Sequence, residues 1–189
     1  ENPEKEGLLM NAVGAIGKLD PKSTETLGVL SGLSLHLNKD VRYNALFSIG
    51  QLDLAKAMVL PSVSVFLEDS SPRVRAAAAG HLWRLNPTEG EDSLGVCQAL
   101  LDSQNDLAKR EALSVLSKMG PSASRLLPEL RAREKMEDDP LNVIAFARAI
   151  LKISGTEETE ILQKLEVLRS LNPGAVSDRV NELLEELNR

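Results

Sequence analysis

Apolar residues recur along this chain in a stripe with the spacing of an α-helix. Within residues 74–85 the stripe consists of Val74, Ala78, Leu82 and Leu85, which share one helix face. The same spacing occurs at five further places, which start at Leu8, Val41, Ala108, Asn142 and Val176. Successive starts lie 33 or 34 residues apart, and Asn142 is the one polar residue in the stripe. The pattern predicts a repeat protein.

A second apolar stripe precedes every repeated helix after the first. Its residues lie 14, 11 and 8 positions before the next start, as Leu60, Val63 and Phe66 do before Val74, except in the fourth unit, where the stripe slips by about one residue to Leu127 and Leu130. Each unit is therefore predicted to be an antiparallel pair, a helix A followed by the repeated helix B, separated by Asp-, Ser-, Gly- and Pro-rich turns. Pro61 and Pro128 fall in two predicted A helices, where they predict kinks.

The third unit carries a recognisable set of motif residues. These residues, Asp69, Pro72, Val74, Arg75 and Ala78, followed by Leu82 and Leu85, resemble a HEAT repeat. The period near 33 is similar to the short HEAT-like class also found in bilin-lyase-type proteins. The resemblance covers nearly all of residues 8–189. It implies an all-α fold, a right-handed α-α superhelix (solenoid) of about five to six stacked helical hairpins, with B helices on the concave face.

The organisation of the chain predicts one HEAT-like α-solenoid domain over residues 1–189. No low-complexity segment or linker divides it. Only seven residues precede Leu8, too few for an A helix, while every other B helix has one. We therefore expect a fragment of a longer chain with neighbouring repeats upstream of residue 1, or a first helix covered by another copy or segment.

Composition and charge narrow the function. The net charge of −6 argues against general phosphate binding, so no nucleic-acid partner is expected. No apolar run approaches the roughly 18 residues that cross a bilayer, so no membrane partner is expected either. The pattern predicts a soluble protein and favours the cytoplasm, although the compartment stays open because the chain starts at Glu1 rather than Met.

Residues for catalysis or metal binding are scarce. HEAT-like di-iron hydroxylases resemble this fold but carry repeated His-Glu pairs, whereas His36 and His81 are the only histidines here and neither precedes Glu. His81 is expected at the edge of the core. Cys97 lies on an A-helix stripe, so it is expected to be buried and unreactive. We predict no metal, no cofactor, no catalytic residue and no enzymatic activity.

Aromatic side chains supply the first candidate binding surface. Tyr43, Phe47 and Trp83 are expected to face away from the core stripe on adjacent B helices, beside bare positions such as Gly14, Gly50 and Ala76. Large rings next to bare positions are typical of binding hot spots. The alternative is that Trp83 covers Gly50 and fills the groove between two helices.

Basic side chains supply the second candidate. One B-helix position holds a base in four units, as Lys18, Arg84, Lys118 and Lys152, and holds Gln51 in the second unit. These bases either compensate helix dipoles or line a groove for an acidic partner.

The candidate binding residues are Tyr43, Phe47, Trp83, Arg84, Arg110, Lys118 and Arg148. They predict a non-enzymatic scaffold or adaptor that binds a protein or peptide on its concave face. Two alternatives remain: a lyase-like or chaperone-like module holding a small aromatic ligand, and a structural spacer in a larger protein.

Overall fold

The described part of the chain is entirely helical. The computed structural model describes residues 3–156 and 158–187, with side chains for 7–88, 90–156 and 158–187. Its α-helices are α1 (Pro3–Leu19), α2 (Thr24–Gly32), α3 (Lys39–Ile49), α4 (Lys56–Ser64), α5 (Pro72–Leu85), α6 (Glu91–Leu100), α7 (Asp106–Met119), α8 (Leu127–Met136), α9 (Pro140–Ser154), α10 (Thr159–Leu171) and α11 (Ala175–Leu187). Short 3₁₀ segments are Leu33–Leu35, Val65–Glu68, Pro87–Glu89 and Gly120–Leu126. No strand occurs in these ranges, and the all-α prediction is confirmed.

The odd-numbered helices α1 to α11 are the predicted B helices, and the even-numbered ones are the A helices. Their ends follow from local chemistry. Pro140 opens α9, where its missing N–H costs nothing, and the Asp139 carboxylate accepts the Asn142 N–H at 2.9 Å. Gly155 ends the same helix in the left-handed region, with φ of 65°.

The chain divides into two compact units, residues 1–108 (unit 1) and 109–189 (unit 2), each described by itself. The boundary falls inside α7. The right-handed superhelix and the single solenoid domain stay predictions.

Unit 1 has a layer of B helices covered by A helices. Helix α1 packs against α3, α3 packs against α5, and α2 and α4 pack against this layer. In α3 and α5 the buried stripe is wider than the sequence pattern indicates, because neighbouring B helices also cover its flanks. In α1 the expected stripe is not buried: Leu8 and Leu19 are exposed, and Val13 is buried instead. Ala76, expected on a bare binding surface, is completely buried, and that expectation is wrong. The fully buried large side chains of this unit are Leu30, Leu46, Ile49 and Phe66.

A buried ion pair joins α3 to the turn before α5 in unit 1. Arg42 Nε and Nη2 donate to the two carboxylate oxygens of Asp69 at 2.7 and 2.8 Å. Arg42 Nη1 also donates to the carbonyls of His36 and Leu37, at 2.8 and 3.0 Å. A buried pair is strongly destabilising to break when its donors and acceptors are this well matched. Arg42 therefore fastens the start of α3 to the turn before α5.

Unit 2 follows the same pairing. Helix α9 packs against α8, α10 and α11, and the 3₁₀ segment Gly120–Leu126 also packs on α9. Pro128 corrects one expectation: it lies in the first turn of α8, where proline fits, rather than in a helix interior. Pro61 does lie inside α4, which is followed directly by a 3₁₀ segment. Asn142 is 1% exposed, and its Oδ1 accepts a hydrogen bond from Arg110, which explains the polar stripe position.

Candidate functional site

A groove in unit 2 gathers arginine side chains over an apolar floor. It encloses about 230 Å³ and is lined by residues of α7, α9 and α11. The basic lining residues are Arg110, Arg148 and Arg179, and the remaining ones are Ser114, Leu141, Ile144 and Ala145. We call this feature the arginine groove.

The side chain of Arg110, a residue of α7, is held by two residues at the start of α9. Its Nη1 donates to Asn142 Oδ1 at 3.1 Å and lies 3.4 Å from Asp139 Oδ1. Asp139 is itself fixed because it caps α9. The guanidinium is thereby oriented by two groups of the scaffold, and its side chain is about one-quarter exposed, at 26%.

The side chain of Arg148, a residue of α9, contacts a carboxylate of α11. Its Nε lies 3.3 Å from Glu186 Oε2, and the other oxygen, Oε1, lies 3.3 Å from Lys152 Nζ. The Nε atom is buried and makes no aligned hydrogen bond within the described residues, so the contact to Glu186 is electrostatic. One carboxylate thus faces two bases at the margin of the groove.

Arg179 completes the groove and was not among the predicted site residues. Its Nη1 lies 3.4 Å from Glu182 Oε2, one turn further along α11. Both side chains are well exposed, at 64% and 60%, so this pair contributes little to stability. The repeat pattern gave no signal for it, because the positions of α11 equivalent to Arg110 and Arg148 hold Asp178 and Glu182.

The ion pairs of the groove are looser than the structural pair in unit 1. Arg42 holds Asp69 through two bonds of 2.7 and 2.8 Å. The groove arginines reach their carboxylates at 3.3–3.4 Å through one nitrogen each. Charge-assisted hydrogen bonds are normally about 2.7–2.9 Å long. A ligand carboxylate in better alignment can therefore compete for these guanidinium groups.

Two of the predicted aromatic residues have separate surroundings in unit 1. Tyr43 packs partly buried against the core, and the guanidinium carbon of Arg73 lies 4.3 Å from the centre of its ring. Phe47 is half-exposed, at 49%, and lines a groove of about 450 Å³ beside Gly14. Its ring meets His81 edge-on, with 6.0 Å between ring centroids.

Trp83 does not cover Gly50, which corrects the alternative given above. The ring over Gly50 is that of His81, whereas the indole of Trp83 lies against Gly90. Tyr43, Phe47 and Trp83 therefore have different neighbours.

The predicted bases divide between the two units. Arg84 Nη2 donates to the Gly50 carbonyl at the end of α3 and lies 3.4 Å from His81 Nδ1. This contact favours the role of compensating a helix end. In unit 2, Arg110 and Arg148 are brought together, while Lys118 lies exposed in the last turn of α7, outside the groove lining.

Other chemistry is sparse in the described part of the chain. Within residues 3–156 and 158–187 no three His, Cys, Asp or Glu side chains form a cluster that could hold a metal ion. No helix in those ranges is both long and apolar enough to cross a bilayer. Cys97 is buried, and burial raises the pKa of its thiol to about 12, so it stays protonated at neutral pH.

The comparisons with known proteins add no identity. No family model matches the chain, and none of the curated proteins compared with it matches its sequence. The HEAT-like resemblance stays a prediction, and the function is argued from the geometry of the arginine groove.

Proposed function

We propose that this protein is a non-enzymatic scaffold or adaptor that binds an acidic peptide segment of a partner protein in the arginine groove. The observation that carries the proposal is the convergence of Arg110, Arg148 and Arg179 on an apolar floor. Guanidinium groups bind carboxylates through parallel N–H donors, and they contact apolar surface readily.

The size of the groove favours a peptide over a small-molecule cofactor. Ligand pockets for small molecules measure about 300–1,000 Å³. The groove, at about 230 Å³, is smaller and suits one or two side chains of a longer segment. Leu141, Ile144 and Ala145 form a floor for an aliphatic side chain. The ligand is therefore a segment in which acidic residues flank an aliphatic one.

The lining of the groove supports binding rather than catalysis. Among its described residues the arginines cannot act as general bases, because the guanidinium stays protonated. Ser114 is the one hydroxyl among the described lining residues, and a serine needs an adjacent base to become a nucleophile. A nucleic acid is disfavoured because the chain as a whole carries a net charge of −6.

The test is fluorescence polarisation with a short fluorescein-labelled peptide in which glutamate and leucine alternate. The matched peptide replaces glutamate with glutamine. We expect the acidic peptide to bind, the glutamine peptide to bind at least about tenfold more weakly, and added salt to weaken binding. Arg148→Gln should weaken binding by about tenfold.

Arg169→Gln is the control variant. Arg169 is a partly exposed arginine of α10 in unit 2 that contacts Glu166 and Asn181 and does not line the groove. The Arg169→Gln variant removes the same positive charge as Arg148→Gln and should change the affinity for the acidic peptide by less than about twofold. Circular dichroism confirms that each variant is folded. Equal binding of both peptides, or no binding of the acidic one, would refute the proposal and favour a structural spacer.

A further inference from the structure

We infer that Glu186 is an internal competitor for the ligand of the arginine groove. In the free protein its carboxylate occupies Arg148 and Lys152, and a partner must displace it to bind. This inference rests on the proposed function. It also supplies a reason for the partner segment to carry more than one acidic residue.

The position of Glu186 supports this role. The side chain extends from α11 to α9, with each oxygen 3.3 Å from a different base, Arg148 or Lys152. It is 44% exposed, so water competes for the contact and the carboxylate can leave at little cost. Arg148 Nε has no aligned hydrogen bond within the described residues. A ligand carboxylate can supply the alignment that Glu186 does not.

The other acids near the groove are placed differently. Asp139 accepts the Asn142 N–H at the start of α9, so its release would leave a helix end uncapped. Glu182 pairs with Arg179 on its own helix and does not connect α11 with α9. Glu186 is therefore the acid that pairs with the bases of α9 and whose side chain can turn away while α9 and α11 stay intact.

Competition sets a condition on the ligand. A segment with one carboxylate exchanges one ion pair at Arg148 for another, which yields little net affinity. A segment with a second carboxylate also reaches Arg110 or Arg179, whose own carboxylates lie 3.4 Å away. The groove thereby discriminates against segments with a single acidic residue, and Glu186 acts as the selecting group.

The experiment compares Glu186→Gln with Glu185→Gln, using the alternating glutamate–leucine peptide. Glu185 is the preceding, exposed residue of α11, so both variants remove one negative charge from the same helix turn. Removing the competitor should tighten binding about two- to fivefold, whereas Glu185→Gln should change it by less than about 1.5-fold. In an Arg148→Gln background the gain from Glu186→Gln should disappear.

The outcomes separate the two proposals. Wild-type binding that Glu186→Gln leaves unchanged, or that both variants tighten equally, overturns the competition and leaves the proposed function standing. Absence of binding by wild type and by Glu186→Gln overturns both.

A measurement without ligand gives an independent check. The NMR resonance of the Arg148 Nε–H should shift in Glu186→Gln and stay in place in Glu185→Gln. An unchanged resonance in Glu186→Gln would show that the contact is not formed in solution.

Discussion

Replacement of Gly50 by alanine tests the contact between α3 and α5. A methyl group at this position would overlap Nδ1 and Cε1 of His81 and lie 3.1 Å from its Cγ. The ring is confined, because Phe47 meets it edge-on and Arg84 lies beside it. The backbone of Gly50 has φ of −64° and ψ of −15°, which alanine adopts without strain. Any loss of stability would therefore come from the overlap.

The expected magnitude follows from two opposed effects. Alanine at an unstrained glycine position stabilises a protein by about 0.4–1 kcal/mol, because it lowers the conformational entropy of the unfolded chain. Displacing a packed ring costs about 1–3 kcal/mol. We expect Gly50→Ala to lower the free energy of unfolding by about 1–2 kcal/mol.

The assay is urea unfolding followed by far-UV circular dichroism and by the fluorescence of Trp83, the only tryptophan of the chain and a residue of α5. Gly95→Ala is the matched control, since no atom lies within 4 Å of a methyl group placed there in α6. It should gain about 0.4–1 kcal/mol. His81→Ala removes the overlapping ring, so in that background Gly50→Ala should no longer destabilise.

Two results would refute this reasoning. The first is a Gly50→Ala variant at least as stable as wild type. The second is an equal loss from Gly50→Ala with and without His81, which would show that the ring is not what the methyl group displaces.

Two further predictions concern titratable groups. A thiol reagent should modify Cys97 slowly in the native protein and quickly in urea, because burial raises the pKa of the thiol to about 12; fast labelling of the native protein would contradict its burial. Hydrogen bonds from Arg131, at 2.6 and 3.2 Å, lower the pKa of Glu158, so the pair stabilises above the ordinary glutamate pKa of about 4.3 and loses this effect as the pH falls through the lowered pKa. Arg131→Gln should therefore lower the Tm at about pH 7 and converge with wild type in acid, and a Tm difference independent of pH would exclude this linkage.

Most of the helices could be predicted because one period locates them. The stripe that ends at Leu85 coincides with the end of α5, and the stripe that ends at Met119 coincides with the end of α7. The start of α8 was harder to predict. The seven-residue 3₁₀ segment Gly120–Leu126 shifts the following A helix, and no apolar period reveals such a segment.

Contacts between helices could not be predicted from one helix at a time. A helical wheel gives the direction in which Trp83 and His81 leave α5, but the rotation of α5 against its neighbours decides that His81 meets Gly50 and Trp83 meets Gly90. The same rotation buries Ala76. Burial of this kind depends on a neighbour, which the pattern of one helix does not describe.

The arginine groove was predictable in part. Arg110 and Arg148 were candidates because they lie on the exposed face of B helices. Arg179 was missed because Asp178 and Glu182 lie on either side of it in sequence, and the pattern therefore indicates an acidic face on this helix. The contact of Glu186 with Arg148 joins two helices, so only the structure reveals it.

The contacts between successive predicted repeats also bear on how the chain folds during its synthesis. Arg42 and Asp69 are 27 residues apart, Lys109 and Glu137 are 28 apart, and Arg84 and Gly50 are 34 apart. Each contact can form once about one further repeat has emerged from the ribosome after the first of its two residues. At about 5–20 residues per second, the next repeat follows within roughly 2–7 s. Folding can therefore keep pace with synthesis, and each helix pair waits only for the pair that follows it.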